Sequence, residues 1–221
     1  MSSENINFKN NRHHKKFYNF IYKDIKNLKN PNILEFGVSD AGLSTEILLD
    51  ICEKNEGTLY SVDINDYSSK FNSKRWKFIH SRDDNYSFVK SFLPEKLDFI
   101  YLDTIHKAKH VEKILFEYYN FLKVNSLFAI DDTSWLPYTK DREKNHFSME
   151  VNNHETFIKL IDIYNSNTKN IDIEFSFLGT GAAKITKLSE NNLNKTVKLK
   201  NRYYSFKNFL RRIYFFLANI S

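Results

Sequence analysis

The chain holds one cysteine, three prolines and five glycines in 221 residues, and each scarcity narrows what it can be. A lone cysteine, Cys52, permits no internal disulfide, which argues against a disulfide-stapled secreted scaffold and for a reducing, cytoplasmic setting. So few prolines and glycines leave little punctuation, so the elements should be long and the loops few. No stretch approaches the roughly 18 uninterrupted apolar residues of a membrane span. The first thirty residues are polar and basic without an apolar core segment, so no secretory signal is expected.

Apolar side chains are plentiful, at 41% of the chain with 16% aromatic, as a folded protein requires. The length suits one α/β domain with extensions and is short for two. Its net charge of +6 is unevenly placed. Residues 1–29 carry seven Lys/Arg and two acids, and residues 195–221 carry seven Lys/Arg and no acid. The middle holds 19 cationic and 25 acidic side chains, a net of −6. A basic pI of about 9.1 would therefore mislead if read as a nucleic-acid-binding body.

Periodicity orders the chain. Phe17, Phe20, Ile21, Ile25 and Leu28 recur at helical spacing over residues 12–29 with lysines opposite, and Pro31 ends that helix. Strands are expected at 32–36, 58–64, 76–80, 97–102 and 126–131, alternating with helices at 43–54, 85–92, 108–122 and 154–165. Two further strands, 171–178 and 182–187, flank Gly179-Thr180-Gly181 as a hairpin. Strand–helix alternation predicts an α/β fold with a doubly wound, mostly parallel seven-stranded sheet, and the hairpin predicts one antiparallel edge strand. The expected organisation is a basic N-terminal helix in 1–30, one catalytic domain in 31–190 and a basic, aromatic tail in 195–221.

The residues most telling of chemistry stand where two apolar strands end. Asp103 and His106 follow the run 97–102, and Asp131-Asp132 follow Leu127-Phe128-Ala129-Ile130. A carboxylate at the mouth of a buried strand is costly to desolvate unless a partner compensates it. Three such carboxylates beside an imidazole suggest a hard-cation site with a base next to it. In doubly wound sheets ligands bind outside the carboxyl ends of the strands, where strand order reverses. The bland alternatives are a helix cap for Asp103, loop acids for Asp131-Asp132 and a solvated loop histidine for His106.

The first strand ends as Glu35-Phe36-Gly37-Val38-Ser39-Asp40-Ala41-Gly42-Leu43-Ser44-Thr45. Gly37 lets the backbone turn and approach a ligand, and Gly42 lets the loop pass close before the helix starts. Asp63, about twenty residues beyond, closes the second strand, where an acid can accept both hydroxyls of a ribose. The central glycine of a dinucleotide fingerprint is missing and an acid precedes the loop, which suits a cationic, phosphate-free ligand better than a pyrophosphate.

At these residues the chain resembles the class I S-adenosylmethionine-dependent methyltransferases, whose first motif has the form Glu/Asp-x-Gly-x-x-x-Gly-x-Ser/Thr. The resemblance runs from about residue 30 to residue 187 and implies a Rossmann-like fold. It implies that Glu35, Gly37, Ser39, Gly42 and Ser44 form the cofactor loop, with Gly37 and its neighbours around the methionine moiety. It further implies Asp63 at the ribose and Asp83 near the adenine, with Asp84 competing for that place. The turn 122–126 departs from the Lys-Pro-Gly-Gly common in the family. Asp103, His106, Asp131 and Asp132 resemble the metal-dependent O-methyltransferases, in particular the macrocin-type sugar O-methyltransferases and cephalosporin-hydroxylase-like proteins. That likeness implies Mg²⁺ or another divalent cation at Asp103, Asp131 and Asp132, and His106 as the base. Catechol-type enzymes have lysine at the position of His106, so the resemblance points toward a sugar, glycan or glycosylated small molecule as acceptor. Trp135, Tyr138 and His146 are candidates to line the acceptor pocket or to anchor its loop.

Residues 203–220 place Phe206, Phe209, Leu210, Ile213, Phe216, Leu217 and Ile220 on one helical face, opposite Lys207, Arg211 and Arg212. Such a helix can lie on a membrane surface, pack on the domain or join a second subunit. Basic flanks with interleaved aromatics also suit RNA, but the acidic body and the lack of a base-methylation motif make a nucleic-acid partner the weaker reading. An RNA or protein methyltransferase, or a non-catalytic scaffold tethered by its tail, are the competing functions.

Overall fold

The computed structural model describes residues 17–133, 147–200 and 205–218. Seven strands form one sheet: β1 (Asn32–Phe36), β2 (Thr58–Asp63), β3 (Trp76–His80), β4 (Leu97–Leu102), β5 (Leu122–Asp131), β6 (Ile171–Ser176) and β7 (Ala182–Lys187), in the order β3-β2-β1-β4-β5-β7-β6. The helices are α1 (Lys23–Ile25), which continues a π-helical turn over Tyr18–Tyr22, then α2 (Leu43–Lys54), α3 (Tyr86–Lys90), α4 (Ala108–Tyr118), α5 (Phe147–Ser166) and α6 (Phe206–Ala218). β1 to β5 pair in parallel, and β7 pairs antiparallel with both β5 and β6. The reversed strand thus lies one place in from the edge, because the hairpin folds β6 outward beyond β7.

The central strands are apolar on both faces because both are covered. Leu34, Phe36, Ile100, Leu102, Phe128 and Ile130 point toward α4 and α5. Their alternates Ile33, Phe99, Tyr101 and Ala129 point toward α2 and the N-terminal segment. That segment belongs to the core: Phe17, Ile21 and Ile25, one helical turn apart, are buried against α2 and the sheet. Residues 12–16 of the expected N-terminal helix lie outside the described residues. Lys184 of β7, almost fully buried, ties the segment down through Asp24 (2.6 Å) and pairs with Glu174 (3.2 Å).

The stretch 122–126, expected as a turn before the fifth strand, is part of β5. Leu97 pairs with Leu122 but Phe99 with Leu127, so β5 carries extra residues in a bulge at which Asn125 takes a left-handed φ of +67°. The helix expected over 108–122 gives way to a tighter turn at Tyr119–Phe121 that delivers the chain to β5.

The registers set one row of residues at the carboxyl rim. Phe36 pairs with Leu102, and Leu102 with Ile130. One step further along these three neighbouring strands come Gly37, Asp103 and Asp131. Gly37 has φ +96°, and a Cβ placed on it would lie 2.1 Å from the Asp103 carbonyl oxygen. Both the backbone conformation and the close approach of β1 to β4 therefore require glycine. Gly37→Ala should cost about 3 kcal/mol, roughly 10 °C in melting temperature. Gly179→Ala, at φ +65° with nothing within 4 Å, should cost about 1 kcal/mol. Thermal melts of the two variants check the difference; equal losses would mean that the crowding at Gly37 is relieved by a small shift.

Candidate active site

The glycine loop leaves β1 at Gly37 and enters α2 at Gly42, which takes a left-handed φ of +61°. Four residues separate these glycines, one more than in the motif the loop resembles, and Ser39 absorbs the excess with a φ of +57°. Asp63 holds the loop from β2: its Oδ2 accepts from the backbone amides of Val38 (2.8 Å) and Ser39 (3.4 Å), and its Oδ1 from that of Asn65 (2.9 Å). The segment after β2 leans on the loop's outer side, with Tyr67 donating to Asp40 (2.9 Å) and Lys70 to the Asp40 carbonyl.

Glu35 lies beneath the loop with no exposed surface. Its carboxylate accepts from Ser44 (2.6 Å), Thr45 (2.8 Å) and Ser61 (2.8 Å), and Ser61 accepts from the Trp76 indole (3.0 Å). One side chain thus joins β1, the first turn of α2 and β2. Burial raises its pKa, the three hydroxyls partly offset that, and the nearby Asp63 charge adds to it, leaving the carboxyl at about 7. Expected at the ligand, Glu35 is instead a strut under the residues that face it.

At the chemical end, His106 Nε2 stands 3.7 Å from Asp103 Oδ1 and 3.6 Å from Asp132 Oδ2, within ion-pair range of both once the ring is protonated. Asp131 accepts from the Tyr101 hydroxyl (3.1 Å) and the Asp132 amide (2.8 Å). Burial, then the Asp131 and Asp103 charges, push the Tyr101 phenol well up, so it stays a donor. Asp132 takes a left-handed φ of +54° as its amide bonds to the Gly181 carbonyl (3.0 Å), which turns its carboxylate back toward His106. Among the described residues no three His, Cys, Asp or Glu side chains converge closely enough to hold an ion. Trp135, Tyr138 and His146 lie outside the described residues.

Asp83 and Asp84 part company. Asp83 is buried, and its Oδ2 is engaged by Thr104 and by His110 Nε2 (2.7 Å). Burial works to raise its pKa, but the bonds from His110 and Thr104 outweigh it and leave the carboxyl below its usual range. Asp84 pairs with Arg82 at the surface (2.8 Å), which holds it down at about 2. Neither lines the main cleft. That cleft encloses about 590 Å³, including its open mouth, between Gly37, Ser39 and Ser44 on one side and Asp103 and Asp131 on another, with Phe17, Leu43, Ile47 and Tyr101 completing the wall.

Residues 34–133, which contain the glycine loop and the acids of this site but not Phe17 or Gly181, match the family model described as a methyltransferase domain. The chain has the Rossmann-like α/β fold of the class I methyltransferases. Solved structures agree on the fold at low identity. The MycE methyltransferase of the mycinamycin biosynthetic pathway, in complex with Mg, SAH and mycinamycin VI, superposes with a TM-score of 0.57 at 18% identity, over 81% of this chain and 50% of its own. An SAH-bound methyltransferase of Podospora anserina gives 0.55 at 15% identity, covering 72% of each chain. A caffeoyl-CoA O-methyltransferase-like protein of Staphylococcus aureus gives 0.55 at 16%, over 74% of this chain and 78% of its own. The chain spans about half the length of the MycE methyltransferase. No curated protein matches the sequence significantly.

Three parts of this site escaped the sequence reading. Tyr101 shares the face of Asp103 two residues on, so strand alternation could have marked it. Phe17, which packs edge-on against Tyr101 (5.1 Å), comes from a segment read as an appendage. His110 and Thr104 looked like loop and helix surface until the fold brought Asp83 to them.

The buried Glu35 makes a pH prediction. Unfolded, it titrates near 4.5; folded, near 7. Between these values the folded state holds more protons, so its stability falls as pH rises through that window, by about 3 kcal/mol at most. Glu35→Gln removes this dependence. Denaturant unfolding at several pH values should show the variant gaining on the parent between pH 4.5 and 7, and parallel profiles would contradict the assignment.

Proposed function

We propose that the protein transfers a methyl group from S-adenosylmethionine to a hydroxyl of a sugar, glycan or glycosylated small molecule, with help from a divalent cation. The observation that carries this reading is the rim row of Gly37, Asp103 and Asp131, which sets a cofactor loop and a pair of acids in one cleft. The loop backbone and Ser44 would take the methionine end of the donor. Asp63, beside the loop, would reach the ribose by giving up one of its amide bonds. The structural likeness to a Mg- and SAH-bound methyltransferase of the mycinamycin biosynthetic pathway supports the reading, as does histidine rather than lysine at position 106.

The chemistry of the donor set suits a hard cation. Asp103 and Asp132 flank His106 Nε2 and Asp131 lines the same cleft, so these three would have to draw together to hold such a cation. When bound, such an ion lowers the pKa of an acceptor hydroxyl and fixes its oxygen. The rest falls to the chain's own groups. Tyr101 orients Asp131 by donating to it. His106, within ion-pair range of Asp103 and Asp132, would take the acceptor's proton at Nε2. The rigid row then holds donor and acceptor for in-line attack, which supplies much of the rate.

Calorimetric titration with S-adenosylhomocysteine, then methyl transfer to a glycan panel with RNA as a comparison, tests this directly. EDTA should abolish transfer and Mg²⁺ restore it. Asp103→Ala should lose roughly 10²-fold or more in kcat. His106→Ala should lose about 10²- to 10⁴-fold with S-adenosylhomocysteine binding unchanged. Transfer indifferent to both EDTA and Asp103→Ala would remove the cation, and failure to bind S-adenosylhomocysteine would remove the donor.

A further inference from the structure

The tail helix α6 leaves its apolar face uncovered. None of its residues is buried; Phe206, Phe209 and Phe216 are 74%, 55% and 68% exposed, and Leu210, Ile213 and Leu217 are exposed with them. These six recur at i, i+3, i+4, i+7, i+10 and i+11, which places them on one stripe. Lys207, Arg211 and Arg212 stand opposite, together with Phe215. The helix is amphipathic, and none of the described residues buries its apolar face. Exposing so much aromatic surface to water is unfavourable, by roughly 25 cal/mol per Å².

We infer that α6 is an interfacial anchor that lays its aromatic face into an anionic lipid surface. Charge favours this occupant over a second copy of the chain. Residues 195–221 hold seven cations and no acid, while the central body is net −6. A negative lipid surface attracts the first and repels the second, so it orients the molecule tail-first. Association of two tails would instead bring two such cationic segments together. Area points the same way. A 13-residue helix is about 20 Å long and 10–12 Å across, so its apolar face buries on the order of 400 Å² against a partner, about half of what each side of a stable dimer contributes. Partition into lipid needs no such complementary surface; its strength scales with apolar area and with the number of basic residues near the headgroups. No described helix is long and apolar enough to cross a membrane, so the contact is peripheral.

The body anchors the tail firmly up to its last described stretch before α6. Asn194 donates its amide to Asn167 Oδ1 (2.6 Å), Val197 to Ser166 Oγ (2.9 Å) and Leu199 to Asp162 Oδ1 (2.9 Å). The strap therefore climbs α5 from its carboxyl end toward its amino end. Because α5 follows β5 and precedes β6, that is the direction of the rim where the cleft opens. The segment that precedes α6, through Leu199, thus runs toward that rim.

Co-sedimentation of the full chain with vesicles tests the inference. Phosphatidylcholine vesicles containing roughly one third phosphatidylglycerol should bring the protein down, and pure phosphatidylcholine should not. Arg211→Gln with Arg212→Gln should lower the partition coefficient about 30-fold, at about 1 kcal/mol per basic residue. Phe209→Asp with Ile213→Asp should abolish sedimentation without lowering the melting temperature, since α6 contributes no buried side chain. The inference fails if the anionic vesicles leave the protein in the supernatant. It fails too if Phe209→Asp with Ile213→Asp binds as well as the parent, which would reduce the contact to surface charge. A dimer in sedimentation velocity that the same double variant dissolves, with no vesicle binding, would assign the face to self-association instead.

Discussion

The site depends on how closely β1 and β4 approach after their last ladder pair. With Gly37 at φ +96° and no side chain, the first strand can pass directly against the Asp103 carbonyl. That contact puts the start of the glycine loop and the first acid of the chemical end in adjoining positions. Parallel pairing with β5 brings Asp131 into the same row. Cofactor loop and acids are neighbours because three strands end in register, and any side chain at Gly37 would push the first two apart.

Buried polar groups then hold this row in one conformation. Glu35 ties three elements through three hydroxyls, and its raised pKa measures how costly that burial is. Tyr101 does the same work from β4, donating to Asp131 while its ring packs against Phe17. Asp83 is committed to Thr104 and His110, which fixes the loops after β3 and β4 to each other and to α4. Each group faces inward and each is satisfied, which is the condition under which buried polar residues specify geometry. The residues proposed to act on a ligand, among them Ser44, Asp63, Asp103, His106 and Asp132, lie at the surface of this frame.

Much of the fold was legible because both its periods are strong. Apolar runs of five or six residues in β1, β2 and β4, with helical patterns between them, allow few topologies, and the Gly179-Thr180-Gly181 hairpin marked where the parallel pattern breaks. What misled was local. The turn at 122–126 became a bulged part of β5, since a strand can accommodate extra residues where one of them, Asn125, accepts a left-handed φ. The N-terminal segment, expected as a basic helix outside the catalytic domain, packs into it. Its buried stripe of Phe17, Ile21 and Ile25 is core, and composition averages over the two faces of a helix.

The sequence by itself determined the strand ends: that Asp103, Asp131 and Asp132 terminate apolar strands, that two glycines frame a loop, and that an acid closes β2. Those are properties of runs and spacings, and they survive without knowledge of neighbours. Tertiary structure alone decided which carboxylates face the cleft and which are struts. Glu35 and Asp83 read like Asp63 and Asp103 along the chain, yet the fold buries the first pair among hydroxyls and a histidine and leaves the second at the rim. The reason is that a carboxylate's role follows from its solvation and its partners, and the side-chain partners of Glu35 and Asp83 lie between 9 and 27 residues away.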